Sequence, residues 1–223
     1  MPTIFKDPRV LLLIAVAAAV AAGLGADQMN AYYRGVVIDI GIAIILAVSL
    51  NLINGHTGQF SLGHAGFMSV GAYVSAMLTL EFQESLGEAL PWIFLPALIA
   101  GGLVAALAGL LVGVPSLRLK GDYLAIVTLG FGEIIRVFLN NLDRPVNITN
   151  GPKGINQIDS IKFFGFDLGV DHQFFGFAVN SVSMYYYLFL ALVIVSVVIC
   201  HRLETSRMGR AWMAIREDEI AAK

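Results

Sequence analysis

Six long apolar blocks dominate the chain and restrict it to folds that sit in a lipid bilayer. A hydrocarbon core is crossed by a helix of about 20 residues, with a range of about 17–25. In lipid, backbone amides must be satisfied within the segment, which a helix achieves. We therefore predict an all-α integral membrane protein with about six transmembrane helices. The predicted spans are residues 10–26, 36–53, 65–80, 91–114, 123–139 and 184–200.

Composition and charge agree with this class. Hydrophobic residues make up 57% of the 223, charged residues 13%, and the mean hydropathy is +0.77. A soluble domain carries about 25% charged residues. The formal net charge is −2, which provides no broad basic surface, so we expect no nucleic-acid partner.

Basic residues predict the orientation. With the N-terminus inside, nine Lys and Arg residues lie on the cytoplasmic side and four outside, the bias that membrane proteins show. Both ends are then cytoplasmic, and residues 140–183 form an outer loop that caps the mouth or docks a partner. Lys6, Arg9 and the following apolar run also fit a cleavable signal peptide. Because more spans follow, we expect a retained first helix.

The most unusual stretch, residues 54–66, joins the second and third spans and contains four glycines, neutral polar side chains and no charge. Such a segment at membrane depth is tolerated only when it is buried in protein or lines a watery cavity. One interpretation is a re-entrant or broken-helix element beside a solute path, with Gln59, Ser61 and His64 as path residues. The other is a tight turn whose glycines supply positive φ angles.

This stretch contains serine and histidine but lacks the other residues that catalysis or metal binding would require. Ser61 and His64 have no Asp or Glu nearby to orient a base, and a triad is defined by geometry. His56 and His64 have no neighbouring third ligand for a metal. We therefore expect no enzyme activity, cofactor or metal, although a membrane-embedded hydrolase that uses Ser61 and His64 stays a third alternative.

Glu133 is the deepest charge in the predicted spans, where a charged residue costs about 3 kcal/mol on insertion scales. Arg136 lies three residues later on the same helical face and offsets part of that cost. The pair is interpreted either as a structural ion pair between helices, which we favour, or as a polar lining of the translocation path.

The last segment, residues 201–223, predicts an amphipathic cytoplasmic helix. Its apolar stripe has the spacing i, i+3, i+4 and i+7, in Met208, Ala211, Trp212 and Ile215. Such a helix lies on the membrane surface or in the groove of a partner. The mixed charges on its other faces favour a protein groove.

Four blocks resemble the branched-chain amino acid ABC transporter permeases of the LivM type. They are NLINGHTGQFSLGHAGF at 51–67, LRLKGDYLAIVTL at 117–129 with FGEIIR at 131–136, TNGPKGI at 149–155, and SRMGRAWMAIREDEIAA at 206–222. The blocks occur in the family's order and cover most of the chain from Asn51 onward, which makes the resemblance specific.

The resemblance implies a subunit of a bacterial inner-membrane importer with a second permease subunit, cytoplasmic ATPase subunits and a periplasmic substrate-binding protein. No phosphate-binding G-x-x-x-x-G-K-[ST] motif occurs in the chain, so ATP hydrolysis is expected in a partner. The tail would be the coupling segment. Its expected ATPase-coupling residues are Gly209, Arg210, Ala214, Arg216, Glu217, Asp218, Glu219, Ala221 and Ala222.

Two further expectations follow from the resemblance. Family members continue past this region with further spans, so we expect the chain ending at Lys223 to be a truncated form. The substrate would be a branched-chain or other hydrophobic amino acid. A permease of the same family for urea or short amides is a rival, and so is a channel or secondary transporter that needs no ATPase.

Overall fold

Helices occupy the six apolar blocks in the computed structural model of the chain. It describes residues 8–24, 30–86, 93–116, 119, 121–143, 147–155, 158, 160–163, 166–174 and 177–217. The long helices of this part are α1 Pro8–Leu24, α2 Ala31–Asn51, α3 His64–Leu86, α4 Phe94–Ser116, α5 Asp122–Asn141 and α6 Ser181–Thr205.

Four of the described helices are long and apolar enough to cross a membrane, which confirms a helical membrane architecture. They span Gly35–Thr57, His64–Phe82, Phe94–Ser116 and Ser181–Thr205. The other two predicted spans coincide with helices of a different character. The α1 helix has 17 residues, and α5 has 20 residues, is amphipathic and carries Asp122, Glu133 and Arg136.

The α2 helix does not end at its last α-helical residue. It continues as one π-helical turn, Leu52–Thr57 (the π turn), which ends at Gly58 with φ of 68°. Residues 58–63 (the link) are not helical, and α3 begins at His64. A positive φ is accessible to glycine without the penalty of a Cβ, so Gly58 lets the chain turn out of the helix.

The segment after α5 contains two small antiparallel hairpins that the all-α prediction did not include. The first pairs β1 Lys162–Phe163 with β2 Phe166–Asp167. The second pairs β3 His172–Phe174 with β4 Phe177–Val179. Two or three residues per strand give too little periodicity for a sequence pattern to predict them.

The chain divides into two compact units, Met1–Ser49 with Leu168–Arg210, and Leu50–Asp167 with Ala211–Lys223. In the first unit α1 packs on α6. In the second unit α3 packs on α4 and α5. The α3–α4 contact is a close backbone approach, since a Cβ added to Gly101 would lie 2.6 Å from the Gly71 carbonyl oxygen.

The last described element is helix α7, Arg207–Glu217, within the segment where the cytoplasmic helix was predicted. Ser206 caps it, because the Gly209 N–H donates to the Ser206 Oγ at 3.2 Å. Capping by a serine hydroxyl satisfies one of the backbone donors that a helix start leaves unpaired. The junction is tight, since a Cβ on Gly209 would overlap the Glu204 carbonyl.

Candidate functional site

The link is held in place by two hydrogen bonds from its own backbone. The Ser61 N–H donates to the Asn54 Oδ1 at 3.1 Å, which ties the link to the π turn. The Leu62 N–H donates to the Thr128 Oγ1 at 3.0 Å, which ties it to α5. Both acceptors are neutral side chains, as expected for a polar but uncharged connection inside a helical bundle.

Glycines bring the link and the start of α3 onto the α5 backbone. A Cβ added to Gly63 would lie 2.5 Å from the Thr128 carbonyl oxygen, and one added to Gly66 would lie 3.0 Å from the Gly132 Cα. Small residues permit such close helix crossings in membrane proteins. The Phe67 and Phe131 rings pack beside the crossing, with centroids 5.2 Å apart.

A cleft of about 320 Å³ opens between α3 and α5 next to this crossing. Its volume lies at the lower end of the range typical of small-molecule sites, about 300–1,000 Å³. The lining is mainly apolar, with a few polar side chains from both helices. The lining residues are Leu62, Ala65, Gly66, Ser69, Tyr73, Leu129, Gly132, Glu133, Arg136, Leu139 and Asn140.

Glu133 and Arg136 form a bidentate ion pair on the α5 side of the cleft. The Arg136 Nε donates to the Glu133 Oε2 at 2.9 Å and the Nη2 to the Oε1 at 2.5 Å. The side chains of Arg136 and Glu133 are 64% and 57% exposed. The pair is therefore local to α5, and both charges remain accessible from the cleft.

The turn that follows α5 packs on the end of α5 that contributes Leu139 and Asn140 to the cleft. Thr149 is 1% exposed, and its hydroxyl donates to the Leu139 carbonyl at 2.6 Å. Gly151, with φ of 56°, packs against the Asn140 carbonyl. Thr149 and Gly151 therefore contact the carbonyl groups of the last turn of α5, which have no partner within the helix.

Of the four predicted path residues, only Glu133 is among the cleft's lining residues. Ser61 is buried at 9% exposure, and Gln59 and His64 are half-buried. The lining from this stretch is Leu62, Ala65 and Gly66, the neighbours of Ser61 and His64. Among the residues described, no group of three His, Cys, Asp or Glu side chains is arranged to hold a metal ion.

Ser69, Tyr73 and Asn140 line the cleft, although no sequence pattern predicted a role for them. Gly66, Ser69 and Tyr73 are spaced i, i+3 and i+7, so they occupy one face of α3. Helical periodicity can reveal that face, but it cannot reveal that α5 covers it.

Two of the coupling residues that the structure describes, Arg210 and Arg216, form side-chain hydrogen bonds inside the chain. The Arg210 Nη1 donates to the Thr205 carbonyl at 3.3 Å, and the Arg216 Nη1 donates to the Gly55 carbonyl at 2.7 Å. Ala214 and Glu217 are exposed on α7. Asp218, Glu219, Ala221 and Ala222 lie outside the described residues.

A family model described as "Branched-chain amino acid transport system / permease component" matches residues 32–223. The chain is 43% identical over 194 residues to the high-affinity branched-chain amino acid transport system permease protein LivM of Escherichia coli (strain K12). That match covers 82% of this chain and 43% of the relative. The LivM protein of Salmonella typhimurium gives the same identity and coverage.

A more distant relative is a probable branched-chain amino acid transport permease protein LivM of Methanocaldococcus jannaschii. It is 27% identical over 209 residues, with 82% of this chain and 56% of the relative covered. The chain thus spans about half the length of these relatives, or less. No solved structure matches it. The family match over residues 32–223 and the 43% identity place the chain among the permease components of branched-chain amino acid transport systems, the family to which it belongs.

Proposed function

We propose that the chain is a permease subunit of an ATP-driven importer for branched-chain or other hydrophobic amino acids. Its six long helices cross the inner membrane, and both ends face the cytoplasm. A second permease subunit completes the path, cytoplasmic ATPases drive it, and a periplasmic binding protein delivers the substrate. Membership of the family and the printed names of the relatives support this assignment.

The observation that carries the proposal is the accessible ion pair in the α3–α5 cleft. A helix of 20 residues is about 30 Å long, enough to span the hydrocarbon core. Charged groups at that depth face a bundle interior or a water-filled cavity rather than lipid. These observations support a path along the face of α5 that carries Glu133 and Arg136, with the second permease subunit opposite as part of the proposal.

The chemistry of the cleft fits an aliphatic amino acid. A zwitterion presents one ammonium and one carboxylate, which an adjacent Glu and Arg complement with charge-assisted hydrogen bonds. Leu62, Leu129 and Leu139 line the remainder and offer an apolar surface to a branched side chain. Urea or a short amide has no apolar side chain and would leave that surface without a complementary group.

The link supplies the rest of the proposed path. Gln59, Ser61 and His64 stay candidate path residues because they lie beside Leu62 and Ala65, which line the cleft. A broken helix beside a solute path is the arrangement that discontinuous transporter helices adopt. The π turn and the non-helical link after it support that role.

Helix α7 is proposed as the ATPase-coupling element. It is amphipathic, and Met208, Met213 and Ile215 are exposed on it. An amphipathic helix with exposed apolar residues fits a groove in a partner. The proposed coupling residues run from Gly209 to Ala222, and Glu217 and its acidic neighbours are proposed as the main contacts with the ATPase.

The test is radiolabelled leucine uptake into proteoliposomes that hold the full-length subunit with its partner permease and ATPases. Glu133→Gln removes the carboxylate but keeps a hydrogen-bonding side chain, and we expect uptake to fall by about tenfold or more. Glu81→Gln is the matched control, because it removes an exposed carboxylate from α3 outside the cleft lining. Equal uptake by the Glu133 variant and the control would refute the proposed path.

A further inference from the structure

One basic side chain joins α7 to the π turn. The Arg216 Nη1 donates to the Gly55 carbonyl at 2.7 Å. Gly55 lies in the last turn of the helix that ends at Thr57, where carbonyl groups lack intrahelical partners. A cationic side chain at that position satisfies a carbonyl and complements the negative end of the helix dipole.

The stem of the same side chain packs on the residue where the chain leaves the helix. A Cβ added to Gly58 would lie 2.7 Å from the Arg216 Cγ and 3.4 Å from its Cδ. Gly58 has φ of 68°, so the position already requires glycine for its backbone conformation. Arg216 therefore holds both ends of residues 55–58, with the guanidinium on Gly55 and the stem on Gly58.

Hydrogen bonds continue from this point to the cleft. Asn54, within the π turn, accepts from the Ser61 N–H, and Leu62 donates to the Thr128 hydroxyl on α5. Leu62 itself lines the cleft, and so do Gly132 and Glu133, one turn beyond Thr128. Energetic coupling between sites can travel through such contiguous contacts when an element has two arrangements. The non-helical link is the element placed to shift.

We propose that Arg216 is a positioning residue that ties the coupling helix to the link, so that displacement of α7 shifts the link at the α3–α5 crossing. The proposal rests on the proposed function, in which α7 receives the motion of the ATPase. It assigns Arg216 to a contact inside the chain, whereas α7 meets the ATPase through its other exposed side chains. Arg216 acts through the link and does not itself touch the substrate.

The first test is hydrogen exchange of the full-length subunit in its complex, without nucleotide or substrate. In Arg216→Ala we expect the amides of residues 55–62 to exchange about tenfold faster, because local opening becomes easier. Arg216→Lys keeps a donor and most of the stem, and we expect it to restore protection. If Arg216→Ala does not assemble, Arg216→Met replaces it, since Met keeps apolar packing on Gly58 but lacks the donor.

Arg207→Ala is the matched control. It removes the same charge from an exposed position of α7 outside the proposed coupling residues, so exchange in residues 55–62 is expected to stay unchanged. Equal acceleration in the Arg207 and Arg216 variants, or none in either, would overturn the tie between α7 and the link.

The second test measures transmission without measuring transport. Vanadate traps the ATPases in the closed state, and we expect trapping to change exchange in residues 58–62 of the wild-type complex. Arg216→Ala should abolish that change while the ATPases still co-purify, and Arg216→Lys should restore it. An unchanged response in Arg216→Ala, or no response in the wild type, would refute transmission through Arg216. Leucine uptake is scored separately, so a wild-type complex that takes up no leucine counts against the proposed function alone.

Discussion

Two helix contacts in this protein contain glycines, but different kinds of neighbouring atoms surround the glycines in each. Where the link and α3 meet α5, the space beside Gly63 and Gly66 is filled by backbone atoms of Thr128 and Gly132. Where α1 meets α6, the space beside Gly23 is filled by the ring ends of Tyr186 and Tyr187, with the nearest atom 2.6 Å from an added Cβ. The backbone atoms beside Gly63 and Gly66 can move only with their helix, whereas the tyrosine side chains beside Gly23 can rotate.

The difference shows which contact determines the site. A backbone carbonyl cannot move aside without shifting its helix, so a side chain added at Gly63 or Gly66 would displace the α3–α5 crossing itself. The α1–α6 contact depends on side chains, including a hydrogen bond from the Tyr186 hydroxyl to the Ala19 carbonyl at 2.7 Å. Such a contact adapts by repacking. Gly63 and Gly66 lie in the block at 51–67 that resembles the permease family, and the cleft lies beside them.

The largest expected effect comes from Gly63→Ala. Its Cβ would lie 2.5 Å from the Thr128 carbonyl oxygen, and we expect the free energy of unfolding to fall by about 2 kcal/mol or more, as overpacking of a tight core does. The measurement is denaturant unfolding in mixed micelles. Gly130→Ala on α5 is the control, because nothing lies within 4 Å of its added Cβ. A stable Gly63→Ala variant would mean that the crossing is not rigid.

Thr128→Val should have an intermediate effect. It leaves the part-buried Leu62 N–H without its acceptor, which costs about 1 kcal/mol, the lower end of the cost of a buried unpaired donor. Thr79→Val is the control on α3, since the Thr79 hydroxyl donates to the Ser75 carbonyl, a group already bonded within the helix. In the same measurement, the free energy of unfolding of Thr128→Val should be about 1 kcal/mol lower than that of Thr79→Val. Equal losses of unfolding free energy in the two variants would show that the Leu62–Thr128 hydrogen bond does not stabilise the α3–α5 crossing.

Gly23→Ala should have the smallest effect, under about 1 kcal/mol, because two tyrosine rings can rotate away from the new methyl group. The control is Gly35→Ala on α2, where nothing lies within 4 Å of the added Cβ. A loss as large as that of Gly63→Ala would show that the α1–α6 contact is just as rigid, and the comparison would fail.

Residue patterns predicted the positions of the helices better than the contacts of their side chains. The six apolar blocks coincide with α1 to α6, and the amphipathic stripe near 208–215 with α7. The π turn was not predicted, because residues 52–57 have the composition of either a helix end or a loop. Ser69, Tyr73 and Asn140 were missed because a polar residue in a span reveals its depth but not the helix opposite it.

The sequence by itself determined that this chain is a helical membrane protein and to which family it belongs. The physical reason is that the length of an apolar segment, and the need to pair its backbone amides within lipid, are properties of one segment at a time. Only the tertiary structure decided that Glu133 opens on a cleft and that Arg216 binds the Gly55 carbonyl, 161 residues away. Such pairings depend on which helices cross and at what register, and no local pattern carries that information.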